Sequence, residues 1–117
     1  MITIRKRPDA RYSIVNGVVH IRAYTFDVVT VDVGATEVIP TGILFKLDDP
    51  DEGVVLLPPK RKSGVDLYYP TRYIDHTMCS ELGCPVTNMT TTPTHLRAGC
   101  VIAYAYPVRR GTIYAEP

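Results

Sequence analysis

Apolar residues in this chain come in short runs that alternate with polar ones, and none recurs at helical spacing. Tyr12 to Val15 and Val18 to Tyr24 flank Asn16-Gly17, a dipeptide favoured by two-residue hairpins because both positions tolerate positive φ. Asp27-Val28-Val29-Thr30-Val31-Asp32-Val33 alternates for most of its length, as a half-buried strand does. Gly42 to Leu47 and Gly53 to Leu57 are short apolar runs divided by Asp48-Asp49-Pro50-Asp51-Glu52, which is turn chemistry. Val65 to Tyr69 and Arg72 to Ile74, parted at Pro70-Thr71, predict a bent hairpin arm. Val86 to Asn88, Val101 to Tyr106 and Thr112 to Tyr114 complete the set. Ten prolines, eight glycines and many β-branched residues oppose helix formation. The expectation is an all-β single domain over residues 1–117, a sandwich, jelly roll or barrel. Residues 1–25 hold the N-terminal hairpin. Residues 108–117 form a polar C-terminal arm, which either crosses onto a neighbouring subunit or hangs loose.

A chain of 117 residues can bury a sizeable core. Lys and Arg number 13 against 12 Asp and Glu, so no broad basic surplus exists to grip an extended nucleic acid. The charge is nonetheless clustered: Arg5-Lys6-Arg7, Lys60-Arg61-Lys62 and Arg109-Arg110 are basic, and Asp48 to Glu52 is acidic. Short charge runs are most often solvated loops. The three cysteines, Cys79, Cys84 and Cys100, are an odd count without a secretory leader, which implies free thiols and a cytoplasmic location. No apolar run approaches membrane-spanning length, so no membrane partner is expected.

The second half of the chain carries the candidate chemistry. Lys60-Arg61-Lys62-Ser63-Gly64 offers three cations, a hydroxyl and a flexible glycine, a combination that suits phosphate; a solvated turn is the plain alternative. Asp75 is a lone carboxylate suited to holding a water, or else an exposed strand end. Its neighbour His76 points to the opposite face of a strand, so the two do not cooperate. His76, Cys79, Cys84 and His95 lack the paired spacing of a structural zinc site, and no metal ligand set is assigned. Eight tyrosines and no tryptophan make an unusual aromatic balance. Tyr68, Tyr69 and Tyr73 lie beside the basic loop and Asp75, where they suit either a nucleobase platform or strand packing at a subunit interface.

In order, these segments resemble motifs of the trimeric dUTPases. Val38-Ile39-Pro40-Thr41-Gly42-Ile43 resembles the family's V-x-T-G-I run. Gly53 to Gly64 is similar to G-x-I-x-P-R-S-G with basic residues inserted. Arg72-Tyr73-Ile74-Asp75-His76-Thr77-Met78 resembles G-V-I-D-x-x-Y, Val86-Thr87-Asn88 resembles L-x-N, and Gly99 to Tyr104 resembles G-D-R-I-A-Q. The similarity runs over residues 26–107. It implies a dUTPase-like jelly roll, related to a β-clip sandwich, and a homotrimer with nucleotide sites between subunits. By that resemblance Arg61 and Ser63 would meet phosphates, joined by Lys62 and Gly64 of the same basic loop, and Asp75 would hold the attacking water. The arm with Tyr68, Tyr69 and Tyr73 would meet sugar and base, and Tyr104 would lie on the phosphate side. Magnesium would enter only with a nucleoside triphosphate.

The departures from the pattern shape the functional expectation. Met78 replaces the tyrosine under the deoxyribose, Tyr104 replaces a glutamine, and Cys100-Val101 replaces Asp-Arg. Phe26-Asp27 is the nearest approach to the first motif. No Gly-rich closing motif precedes Pro117. Phosphoryl chemistry depends on positioning and charge neutralisation over the whole triphosphate, so these losses favour binding over turnover. The expected function is a non-hydrolysing nucleotide-binding protein, in the manner of a viral or phage accessory protein that sequesters a host nucleotide in the cytosol. An active dUTP or dCTP pyrophosphatase of altered specificity, and a structural or protein-interaction trimer, are the alternatives.

Overall fold

The Asn16-Gly17 turn sets the first hairpin. Asn16 at φ 51 and Gly17 at φ 78 join β2 (Tyr12–Val15) to β3 (Val18–Arg22), with Val15 opposite Val18. A computed structural model describes residues 1–59, 67–68, 72–78, 80–108 and 113–116, with residues 67–68 described through their backbone alone. The other strands are β1 (Ile2–Lys6), β4 (Val29–Val31), β5 (Thr36–Pro40), β6 (Ile43–Leu47), β7 (Gly53–Leu57), β8 (Leu67–Tyr68) and β9 (Arg72–Ile74). They continue with β10 (Gly83–Asn88), β11 (Thr94–Leu96), β12 (Val101–Val108) and β13 (Ile113–Ala115). No helix occurs among the described residues.

The largest sheet runs β2-β3-β12-β7-β9. Smaller sheets run β13-β1-β6, β5-β10-β8 and β11-β4. The inner faces enclose one core in which Phe45, Ile4, Ile21, Ile39, Ile74 and Ile102 are each at most 1% exposed. Each such side chain contributes about 1.5–3 kcal/mol by leaving water. The buried polar residue Asn88 ties three segments: Nδ2 donates to the carbonyls of Val31 and Thr92, and Oδ1 accepts from the Thr90 amide and hydroxyl. The Thr41-Gly42 pair has a packing reason of its own. A Cβ at Gly42, whose φ is 68, would stand 2.8 Å from Ala10 Cβ and 3.1 Å from the Tyr24 ring.

Several strands differ from the sequence expectation. The alternating run from Asp27 to Val33 yields strand only over Val29–Val31, because a turn begins at Asp32, whose carbonyl accepts from the Ala35 amide at 2.9 Å. Strand β3 stops at Arg22, since Ala23 bonds the β12 entry (its amide to Cys100 O, 2.8 Å) and Tyr24 bonds Pro40 O at 2.8 Å. Strands β1, β5 and β11 were not anticipated: β5 shows one buried position in five, too few for a pattern. Ile113–Ala115 forms a strand one residue later than the run expected over Thr112 to Tyr114, and it pairs parallel with β1.

Candidate functional site

Asp75 follows directly on β9, where Ile74, 1% exposed, is anchored in the core and pairs with Val54. The chain then turns, and the turn is held by the aspartate itself. The Thr77 amide and hydroxyl donate to Asp75 Oδ1 at 2.9 and 2.5 Å, and the Met78 amide donates to the Asp75 carbonyl at 3.1 Å. The Thr77 hydroxyl, then its amide, hold the Asp75 carboxyl below its ordinary value of 3.8, with a smaller contribution from His76. Hydrogen bonds to the charged form of an acid lower its proton affinity. A cavity of about 270 Å³ opens beside this turn, lined by Phe45, Arg72, Ile74, Thr77, Met78 and Leu82 among others. The Arg72 guanidinium is tethered there, donating to Gly83 O at 3.1 Å.

Tyr73 points to the other side of β9 from Ile74 and is 40% exposed. On that outer face it lies opposite Val55 and across Gly53, whose missing side chain leaves room for the ring. Tyr104 occupies the same face of the sheet, opposite His20 on β3 and Leu57 on β7. Its ring stacks on His20 with centroids 4.6 Å apart and planes tilted by 37°. Tyr104 and Asp75 are two strands apart and four residues out of line, about 16 Å by ordinary strand spacings. One chain therefore does not bring these two candidates to a common reacting atom.

Arg61, Lys62, Ser63, Gly64 and Tyr69 lie outside the described residues, and Tyr68 is described only as a backbone pair with Thr87. The N-terminal basic cluster is not a free patch. Arg5 forms a two-bond ion pair with Glu116, and Arg7 forms one with Glu81. Among the described residues no group of three or more His, Cys, Asp or Glu could hold a metal. Cys84 is buried, which pushes its thiol up to about 11, and His95 Nδ1 lies 2.9 Å from the Thr30 hydroxyl. Sequence reasoning missed His20. Alternation from the Asn16-Gly17 turn puts it on the outer face, but only the β3–β12 register shows that it meets Tyr104.

No family model matches the chain, and no curated protein matches it significantly. Solved structures do resemble it. A mutant dUTPase from phage phi11 of S. aureus, studied for its coordination of a structural Mg(II) ion, aligns with a TM-score of 0.77 at 15% identity, covering 100% of this chain and 95% of that one. The native EIAV dUTPase aligns at 0.78 and 14%, with coverages of 100% and 95%. The dUTPase of Staphylococcus bacteriophage 80alpha aligns at 0.79 and 14%, again with 100% and 95%, and a mutant of it was solved with dUpNHpp. The chain thus has the dUTPase-like all-β fold.

Proposed function

We propose that this protein binds a nucleotide on a dUTPase-like scaffold without hydrolysing dUTP. The observation that carries the reading is the state of Asp75. Its Oδ1 accepts two hydrogen bonds from Thr77, and its proton affinity is lowered by them. A carboxylate in that state is a good fixed acceptor for a ligand hydroxyl beside the cavity lined by Arg72 and Met78. Met78 and Tyr104 stand where the resemblance implies a tyrosine under the sugar and a phosphate-side glutamine, and these losses favour binding over turnover. Arg61, Lys62 and Ser63 would meet the phosphates, with Gly64 allowing the turn, and Tyr68, Tyr69 and Tyr73 would supply the aromatic surface.

The dUpNHpp complex of a structurally similar phage dUTPase supports nucleotide as the ligand class. Those phage dUTPases are described as controlling transfer of virulence genes, which supports an accessory role; for this chain we propose that the role is sequestration of a nucleotide in a host cytosol. Magnesium fits only as a companion of a triphosphate. Magnesium is commonly held through substrate phosphates.

The protein acts as a homotrimer. A row of apolar and aromatic residues crosses the outer face of the large sheet, with Val15 beside Val18 on one edge and Tyr106, Val55 and Tyr73 in register on the other strands. Val15 is 47% and Tyr73 40% exposed in a single chain, so association removes apolar surface from water. The same row favours the second reading, a protein-interaction trimer without a ligand.

Thermal shift against a nucleotide panel, with and without magnesium, tests the proposal, since a ligand selective for the native state raises Tm. Stabilisation by a nucleotide with no turnover of dUTP or dCTP is expected. Turnover near 1 per second, on the order of ordinary enzymes, overturns the non-hydrolysing reading, and no shift with any nucleotide overturns binding.

A further inference from the structure

We propose a second ligand site, for a dianionic phosphate group, in the cavity of about 660 Å³ at the open end of the β2–β3 hairpin, where Arg11 and Arg22 stand opposite each other. Lys6 and Ser13 line the same cavity. Its position separates it from the region of Asp75. From the end of β3 to the end of β9 is three strands across and about six residues along, roughly 25 Å by ordinary spacings.

The hairpin register brings the two arginines together. Ser13 pairs with His20 and Tyr12 with Ile21, so the next pair along is Arg11 with Arg22. Ile21 is fully buried and points into the core. By alternation Arg11, Ser13, His20 and Arg22 share the outer face. Residues directly opposed in an antiparallel pair have Cβ atoms about 5 Å apart, and like charges so placed repel. Lys6, the last residue of β1, brings a third cation to the cavity.

Two of the three cations are held in place by the fold. Arg22 Nη1 donates to Gly99 O at 2.9 Å, and Lys6 Nζ donates to Pro8 O at 3.1 Å. Carbonyl oxygens orient these groups without neutralising them. Neither Lys6, Arg11 nor Arg22 enters an ion pair among the described residues, whereas Arg5 and Arg7 each pair with a glutamate. The lining holds no carboxylate among the described residues. Asp9, two residues before Arg11, lines the adjoining cavity that Arg11 also borders. The chain has 12 acidic residues for 13 basic ones, so no general shortage of carboxylates leaves these cations unmatched.

The unmatched groups define the ligand. Arginine and lysine only donate hydrogen bonds, and the Ser13 hydroxyl can donate as well. A phosphate group accepts from all of them, and guanidinium forks match its oxygens in pairs. Its two charges offset most of the repulsion between the arginines. A monocarboxylate brings one charge against three cations, and an apolar ligand leaves them unanswered. An extended polyanion needs a basic surface beyond one cavity, and the chain has no such surplus.

Titration with inorganic phosphate at low ionic strength, read by backbone-amide NMR, tests the site, with sodium chloride at matched ionic strength as control. Saturable shifts centred on Arg11, Ser13 and Arg22 are expected with phosphate alone. Arg11→Gln should weaken phosphate binding about tenfold, the scale of one hydrogen bond to a charged group. Without phosphate, the same variant should keep or raise Tm, because it relieves the repulsion between opposed arginines. An arginine with a purely structural role would lower Tm when replaced. Glycerol 2-phosphate separates the two sources of the group: binding as tight as that of inorganic phosphate assigns the site to a phosphomonoester, and a clear preference for inorganic phosphate assigns it to the free ion. The site is refuted by absent saturation, by equal shifts with chloride, by shifts centred elsewhere in the chain, by undiminished affinity in Arg11→Gln, or by a lowered Tm of that variant without phosphate. Nucleotide-induced shifts at Thr77 and Met78 report on the Asp75 region separately, so failure of either site leaves the other standing.

Discussion

The Tyr73 ring lies across Gly53 of the neighbouring strand, filling the space that a Cβ at Gly53 would need. The glycine is thereby explained as a seat for an aromatic side chain. Gly53→Ala should push the ring outward. The clash involves the far end of a side chain already 40% exposed, so the stability loss should be about 1 kcal/mol, the low end for overpacking. Combining it with Tyr73→Ala should recover most of that loss in a double-mutant cycle read by urea unfolding. Additive losses would mean that the two residues are not coupled.

Asn88→Ala should be among the more damaging substitutions. It removes donors to Val31 O and Thr92 O and the acceptor for Thr90, and it strands buried polar groups. A loss of about 3 kcal/mol is expected, the upper range for leaving such groups unsatisfied. Denaturant midpoints with an unchanged slope check this.

Thr77→Val should raise the Asp75 pKa back toward 3.8, since it deletes the hydroxyl donor that contributes most to the lowering. In the wild type the folded value lies below the unfolded one. The stabilisation linked to Asp75 is therefore fully present above about pH 4, and it is lost as pH falls through the depressed folded value. Glu81, paired with Arg7, and Glu116, paired with Arg5, follow the same sign. Carboxyl NMR titration of wild type and Thr77→Val reads the shift directly.

Cys84 should resist alkylation in the native state. With its thiol near 11, only about one molecule in a thousand is thiolate at pH 8, and the side chain is 3% exposed. Iodoacetamide mapping by mass spectrometry should find Cys84 modified only under denaturing conditions.

Arg61→Ala should weaken binding of the best nucleotide by about 1.5–3 kcal/mol, as for a hydrogen bond to a charged group. The loss should be larger at low salt, where an exposed contact is least screened. Equal affinities of wild type and variant at low salt would assign the loop no part in binding.

The limits of sequence reading follow from the period of the signal. Strands with strong alternation or firm punctuation, such as β2, β3, β7 and β9, were legible to the residue or nearly so. β5, with one inward residue, was not, because its strand state comes from pairing with β10 across a long loop of chain. The resemblance of ordered motifs pointed to Asp75 and Tyr104 as site residues, but it could not say that one chain holds them about 16 Å apart. His20 escaped notice because its partner Tyr104 lies far along the chain, and the cavity at Arg11 because only the β2–β3 register sets Arg11 opposite Arg22.

By itself the sequence determined the all-β class, the Asn16-Gly17 hairpin and the order of motifs, because these rest on local backbone preference and on alternation of period two. Only the tertiary structure decided which strands became neighbours, where the polar groups of Asn88 and Asp75 found partners, and which did not, as at Thr25. Sheet neighbours are chosen by burial of whole faces and by register between distant segments. Those are sums over the entire chain, and no window of it contains them.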